Sequence, residues 1–292
     1  MIALLLGGLV TVLLLFPVLN QRRRDRLVQQ WSGLLVRSCG VRIKIDPAAA
    51  AQIDDASRGR MIVANHISWL DIFVINAIAP SCFIAKSDIA AWPLIGTLVG
   101  RVGTLFLERG KRHAVHDMIQ KAQARLREGR RIAVFPEGTT SDGLRLLPFH
   151  GNLIEAAVQT PTGVVPIGLR YQDSRGMTQS GDGGAMNFEG DMTFVASVMR
   201  ILRGRDVIAL VLPLAELRPA SLPTSLSDQS PDKLSNQSPD KSPDKSPELG
   251  TGASKQRHRL ASAARQQLSA ALALPLEDNI PEIVRDLRAA PR

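Results

Sequence analysis

The first nineteen residues, MIALLLGGLVTVLLLFPVL, carry no charged side chain, and their length approaches the ~20 residues a helix needs to cross the hydrocarbon core of a bilayer. They predict a membrane helix. A cleaved signal peptide is the competing reading, but no positive charge precedes the apolar run and no A-x-A-like site follows it. Arg22, Arg23, Arg24 and Arg26 come directly afterwards, the flank that keeps the following chain on the cytoplasmic side. Over residues 24–37, Leu27, Val28, Trp31, Leu34 and Leu35 recur at helical spacing among polar residues. That fits a helix lying in the membrane interface with Trp31 at headgroup depth. It fits equally an ordinary helix facing a core.

Beyond residue 40 the pattern shortens. Val41-Arg42-Ile43-Lys44-Ile45 alternates as a strand with one wet face, and Met61-Ile62-Val63-Ala64 reads as a short buried strand before a helix over residues 72–79. Further strands are expected at 81–86, 99–109, 131–135, 164–169 and 207–214. Pro166 implies that its strand lies at an edge or an end. Residues 114–128 place Val115, Met118, Ile119, Ala122 and Leu126 on one helical face that Gly129 stops, and 154–158 reads as another helix. Residues 181–184 read as a flexible loop. The recurrence of strand, polar turn and helix predicts an α/β body whose functional groups collect at strand ends. From 219 to 256 the character changes: Ser-Pro-Asp-Lys recurs at 230, 238 and 242 with almost no large apolar side chain. Such a stretch cannot offset its ordering entropy and is expected to be a disordered insertion. The chain thus divides into a membrane-anchoring segment (1–38), a body (39–218), the insertion (219–256) and a last helix with its tail (257–292), where Leu260, Ala263, Ala264, Gln267, Leu268, Ala271 and Leu272 mark a helix that returns to the body.

Composition narrows the partners. The net charge of +9 admits nucleic acid, an anionic membrane or an anionic small substrate, but the arginine cluster flanks the apolar segment, and aromatics at 4% leave little for a base-stacking platform. Nucleic acid is excluded on that ground. Cys39 and Cys82 form no CxxC or metal pattern and read as reduced thiols of a cytoplasmic domain.

Two stretches carry the chemistry. In Asn65-His66-Ile67-Ser68-Trp69-Leu70-Asp71, five residues turn a helix by roughly 500°, so His66 and Asp71 meet only if His66 precedes the helix and Asp71 lies in its first turn. There Asp71 can hold the Nδ1 proton and leave Nε2 free as a base for a substrate hydroxyl, no G-x-S-x-G or reactive-cysteine motif being present. Ser68-Trp69-Leu70-Asp71 is also a capping-box pattern, which would make Asp71 a cap and nothing more. The motif alone leaves both readings open. Phe135-Pro136-Glu137-Gly138-Thr139-Thr140-Ser141 brings a carboxylate, a permissive glycine and three hydroxyls past a strand, a turn able to offer N–H groups to an anion. Lys86 and Arg109, at the ends of expected strands, are cations able to meet a phosphate. His113, His116, His150 and His258 show no metal-ligand spacing.

Asn65-His66-x4-Asp71, Gly103-x-x-Phe106-Leu107-Glu108-Arg109, Phe135-Pro136-Glu137-Gly138-Thr139 and Val165-Pro166-Ile167 occur in this order. The set resembles the 1-acylglycerol-3-phosphate acyltransferase family of membrane-bound glycerolipid acyltransferases, over about residues 25–215 and the last helix. The resemblance implies an α/β fold, a mixed sheet covered by helices, and transfer of a fatty acyl group from acyl-CoA or acyl carrier protein to a lysolipid hydroxyl at a membrane, without metal or prosthetic group. It implies His66 as general base, Asp71 as its orienting partner, and Arg109 with Glu137, Gly138 and Thr139 as the acceptor-binding set. It thereby favours catalysis over the cap for Asp71. Two departures bear on the acceptor. Thr140 stands where members with a phosphate-bearing acceptor usually have a basic residue, and His150 where a lysine is common. Thr140-Ser141-Asp142-Gly143 is similar to relatives that acylate lyso-ornithine lipid. A non-catalytic protein binding anionic lipid is the reading from another class.

Overall fold

A computed structural model of the chain describes residues 2–54, 59–91, 95–107, 112–181, 183–190, 192–204, 206–219, 222 and 251–277. The apolar N-terminus is helical but is not a single rod. Helix α1 (Ile2–Val10) runs into a π-helical turn (Thr11–Leu15) and a 3-10 turn (Phe16–Val18), and the chain then reverses into α2 (Gln21–Ser38), whose Asn20 cap accepts from Arg23 N. Thr11 Oγ1 bonds back to Gly7 O at 2.8 Å, a contact that bends helices, and Pro17 sits where the helix tightens. The nine residues of α1 rise about 14 Å, half of a ~30 Å hydrocarbon core. Among the described residues no helix is long and apolar enough to cross a membrane, so a helical hairpin replaces the expected N-terminal membrane helix. Trp31 pins it, donating from Nε1 to Leu4 O at 2.8 Å. Gly8 makes room for the ring, since a Cβ there would lie 2.7 Å from Nε1. This contact, rather than a headgroup, occupies the indole.

The body then follows as β1 (Val41–Lys44), α3 (Pro47–Asp54), β2 (Arg60–Ala64), α4 (Asp71–Ile78), β3 (Cys82–Lys86), α5 (Ile95–Arg101), β4 (Leu105–Leu107), α6 (Arg112–Arg127), β5 (Arg131–Val134), α7 (Glu155–Val158), β6 (Val164–Gln172), α8 (Phe194–Arg203), β7 (Val207–Pro213) and α9 (Thr251–Leu272). Residues 99–101, expected in a strand, close α5 instead. Leu98 is buried on that helix, and Gly103 at φ +96° makes the turn that confines the strand to β4. Helices α3 and α8 had no counterpart in the sequence reading. Helix α9 begins six residues earlier than expected, while residues 223–250 of the expected insertion lie outside the described residues. Residue 182 of the expected flexible loop lies outside them too.

The strands form one mixed sheet in the order β1-β7-β6-β2-β5-β3-β4, with β6–β7 its antiparallel pair. Because β2 is central, both its faces are covered, which is why its sequence is a continuous apolar run. Ile62 and Ala64 pack with Val36 of α2 and with Val74 and Ile75 of α4. Met61 and Val63 pack on the other face with Met118, Ile119 and Ala122 of α6 and with Leu260 and Ala264 of α9. Of the residues expected to mark the last helix, Leu260, Ala263, Ala264, Leu268 and Leu272 are buried, Gln267 is half-buried and Ala271 is exposed, and α9 lies against β6. Pro166 is not on an edge strand. It pairs with Val63 of β2, and it is tolerated because the β6–β7 register ends one residue away, at Ile167↔Pro213.

Where β2 ends, Asn65 continues its pairing through a side chain. Nδ2 donates to Leu169 O at 3.0 Å, and Oδ1 accepts from Leu169 N at 2.7 Å. The chain can therefore turn out of the sheet without leaving the Leu169 peptide groups bare. Replacing Asn65 with alanine orphans one buried donor and one buried acceptor, with an expected cost of about 2–4 kcal/mol. A urea-unfolding midpoint unchanged from wild type would contradict this.

Candidate active site

Four parallel strands, β2, β5, β3 and β4, finish along one edge of the sheet. The turn after β2 carries His66, the turn after β5 carries Glu137, β3 ends on Lys86 and β4 on Leu107. Arg109, two positions past β4, lies outside the described residues. Topology thus collects at one edge the stretches that the sequence separates by up to 71 positions.

Asp71 opens α4 and is fully buried. Its Oδ2 lies 2.9 Å from His66 Nδ1 and also accepts from the backbone N–H groups of Ile67 (2.7 Å) and Ser68 (2.9 Å), while Oδ1 accepts from the Tyr171 hydroxyl at 2.6 Å. The two readings of this residue are therefore not alternatives. One carboxylate closes the turn and holds the imidazole together, because the turn directs its N–H groups and the ring toward the same oxygen. With a carboxylate as partner, Nδ1 carries the proton and Nε2 presents a lone pair. Nε2 makes no hydrogen bond among the described residues, and the His66 side chain is 17% exposed. Phe135 covers one face of the ring, with centroids 3.9 Å apart and planes within 9°.

The second turn grips the first by its backbone. Glu137 Oε1 accepts from His66 N at 2.7 Å and Oε2 from Leu147 N at 3.0 Å, while Ser141 N donates to His66 O at 2.8 Å. Glu137 is 2% exposed, and both of its oxygens meet the chain's own amides. Gly138 takes φ +70°, and a Cβ there would lie 3.1 Å from His150 Cδ2, so a side chain at 138 meets both strain and an imidazole. Thr139 is half-buried next to it, and Thr140 Oγ1 donates to Phe188 O.

Sequence reasoning missed Tyr171, the only tyrosine of the chain. Its signal was the alternation Val165, Ile167, Leu169, Tyr171, which places the phenol on the buried face of β6 that looks toward α4. Burial, and next the Asp71 charge, raise the phenol far above its ordinary value, so it remains a donor. It also missed that Ser141 and Glu137 act on the His66 backbone. Those bonds span 75 and 71 positions, beyond the reach of local spacing.

Burial pushes the Glu137 carboxyl from 4.5 up to about 8, against the opposing pull of the His66 and Leu147 amides. A folded-state value above the unfolded one means that the contribution to stability is complete below about pH 4.5 and is lost as pH rises to about 8. Glu137→Gln does not titrate. Wild type should lose stability relative to it by on the order of 4 kcal/mol between about pH 5 and about pH 9. Urea unfolding of both proteins at the two pH values measures this, and a constant gap would rule it out.

Residues 49–170 match the Acyltransferase family model. A 1-acyl-sn-glycerol-3-phosphate acyltransferase of Neisseria gonorrhoeae is 40% identical over 118 residues, 40% of this chain and 46% of that protein. A lyso-ornithine lipid O-acyltransferase of Pseudomonas aeruginosa is 34% identical over 181 residues, 62% of this chain and 66% of the relative. The chain thus spans about half to two thirds of the length of these curated relatives. The crystal structure of the 1-acyl-sn-glycerophosphate (LPA) acyltransferase PlsC from Thermotoga maritima superposes with a TM-score of 0.54 at 17% identity, over 93% of this chain and 96% of that one, and shares its fold. All four motifs of the sequence fall within the matched stretch, and residues 49–170 of the chain form an Acyltransferase-family domain.

Proposed function

We propose that the protein is a membrane-associated O-acyltransferase that moves a fatty acyl group from acyl-CoA or acyl carrier protein to the hydroxyl of a lysolipid. The observation that carries this is the His66–Asp71 pair. A ring whose Nδ1 is held by a carboxylate with three further donors, and whose Nε2 is unbonded at a strand edge, is arranged to take a proton from a hydroxyl. In the step proposed, Nε2 removes the acceptor hydroxyl proton as the oxygen attacks the thioester carbonyl carbon. The tetrahedral adduct then expels the thiolate as the C–S bond breaks, and the imidazolium returns its proton to that sulfur. Asp71 stabilises the imidazolium formed between these events. The chain supplies the base, and no metal or prosthetic group is needed. Lys86, Arg109, Gly138 and Thr139 are assigned to the acceptor, and Glu137 to positioning the His66 peptide unit.

The N-terminal hairpin supports the membrane assignment. Leu6, Val10, Leu13, Leu14, Leu15 and Val18 are exposed, from 40% at Leu13 to 78% at Val18, and the exposed Arg22, Arg23 and Arg26 follow directly. Such an arrangement suits a segment lying in one leaflet with its cations at the headgroups. The acceptor we place first is 1-acylglycerol-3-phosphate. Lyso-ornithine lipid is the second reading, favoured by Thr140, which offers no cation and whose hydroxyl is engaged by Phe188 O.

His66→Ala should lower acyl transfer by about 10²–10⁴-fold with the fold retained. A variant with wild-type turnover would overturn the mechanism and leave only lipid binding. Tyr171→Phe removes one of the four donors from Asp71 and should lower kcat by about tenfold with KM unchanged, whereas a KM effect alone would place the phenol on the substrate. An acceptor panel of lysophosphatidic acid, glycerol 3-phosphate and lyso-ornithine lipid with labelled acyl thioester decides between the two acceptors, and acylation of none of them would overturn the proposed activity.

A further inference from the structure

A cavity of about 500 Å³ opens at the opposite end of the sheet from His66, beside the starting ends of β3, β4 and β5, where α2, α5 and α6 converge. Five cations line it: Arg24, Arg101, Lys121, Arg125 and Arg130, with Phe16 at one side. Three of them are half-buried and have only neutral partners. Arg24 Nε donates to Leu19 O at 2.9 Å, and its guanidinium lies 5.9 Å from the centroid of Phe16. Arg125 Nη1 donates to Gly103 O and lies 3.0 Å from Cys82 Sγ. Arg130 Nη2 lies 3.4 Å from the same sulfur. None of the three forms an ion pair among the described residues. Two acids also line the cavity. Asp25 accepts from Gln21 Nε2 at 2.6 Å, and Glu128 is exposed.

Half-buried guanidinium groups that have shed water without gaining a counter-charge are costly, and three converging on one cavity recover that cost when an anion enters. The planar donor fork of arginine matches a phosphate better than a diffuse counter-ion. Phe16 connects the cavity to the exposed apolar surface of Leu13, Leu14, Leu15 and Val18, so a phosphate seated here can keep acyl chains attached along the hairpin. We propose that this cavity is a second lipid site, distinct from the acceptor site, that binds the phosphate headgroup of an anionic bilayer glycerolipid and thereby fixes the hairpin against the body. The proposal rests on the reading that the hairpin lies in a leaflet.

Calorimetric titration of the full chain with dihexanoyl phosphatidylglycerol, dihexanoyl phosphatidylcholine and inorganic phosphate tests it. Phosphatidylglycerol should bind more tightly than either of the others. The double variant Arg24→Gln with Arg130→Gln should weaken it by about tenfold or more, and Arg101→Gln with Lys121→Gln, on the exposed rim, should weaken it less while leaving the fold intact. Unchanged affinity in both double variants would overturn the site, and phosphate binding as tightly as the lipid would overturn the lipid assignment. His66→Ala, which abolishes acyl transfer under the proposed function, should keep phosphatidylglycerol affinity. Loss of the catalytic reading and loss of this one therefore register in different proteins. Vesicle flotation separates the membrane reading: if wild type fails to float with phosphatidylglycerol vesicles yet binds the soluble lipid, the cavity stands without the leaflet.

Discussion

A carboxylate buried without donors costs several kcal/mol, and the whole candidate site is arranged around making Asp71 an exception. Its four donors come from the imidazole, two successive turn amides and a phenol on the far side of the core. The first three are local, so the turn and the carboxylate define each other. The fourth crosses from β6 to α4 and ties the turn to the sheet. An α4 displaced along its axis would break the phenol bond and the ring bond together, so the helix cannot move without the His66 ring moving too.

The sheet order explains how this turn is kept still. With β2 between β5 and β6, the chain leaving it has a neighbour on either side. Asn65 engages β6 through Leu169, and the turn after β5 engages His66 through Glu137 and Ser141. Both the N–H and the C=O of His66 are thus held by the turn that follows a neighbouring strand. An imidazole anchored in this way is pre-organised by the fold rather than by a partner.

What could be read from the residues alone followed the range of each interaction. The His66–Asp71 pair spans five positions, and its geometry could be deduced from helical rotation. The two-sided burial of β2 was written in four consecutive apolar residues. The hairpin was not readable, because the length of an apolar run does not report a Thr11 back-bond, a proline in a tightening turn or an indole reaching from Trp31 to Leu4. Residues 99–101 were assigned to a strand since short apolar runs carry no decisive period. Pro166 leaves an edge and an end open because a proline states what its own nitrogen lacks, and the end of the β6–β7 ladder at Ile167 decides between them. Tyr171 and the backbone role of Glu137 depend on contacts 100 and 71 positions apart, which the order of strands creates and no local spacing encodes.

The phenol that completes the Asp71 donor set has a spectroscopic consequence. The chain contains one tyrosine, and its hydroxyl touches the carboxylate that holds the His66 ring. Any tyrosine band in an ultraviolet or vibrational spectrum of the protein therefore arises from a single oscillator one bond from that carboxylate, free of overlap from other phenols. The molecule carries an intrinsic optical label on the partner of its candidate base, read without substitution or dye.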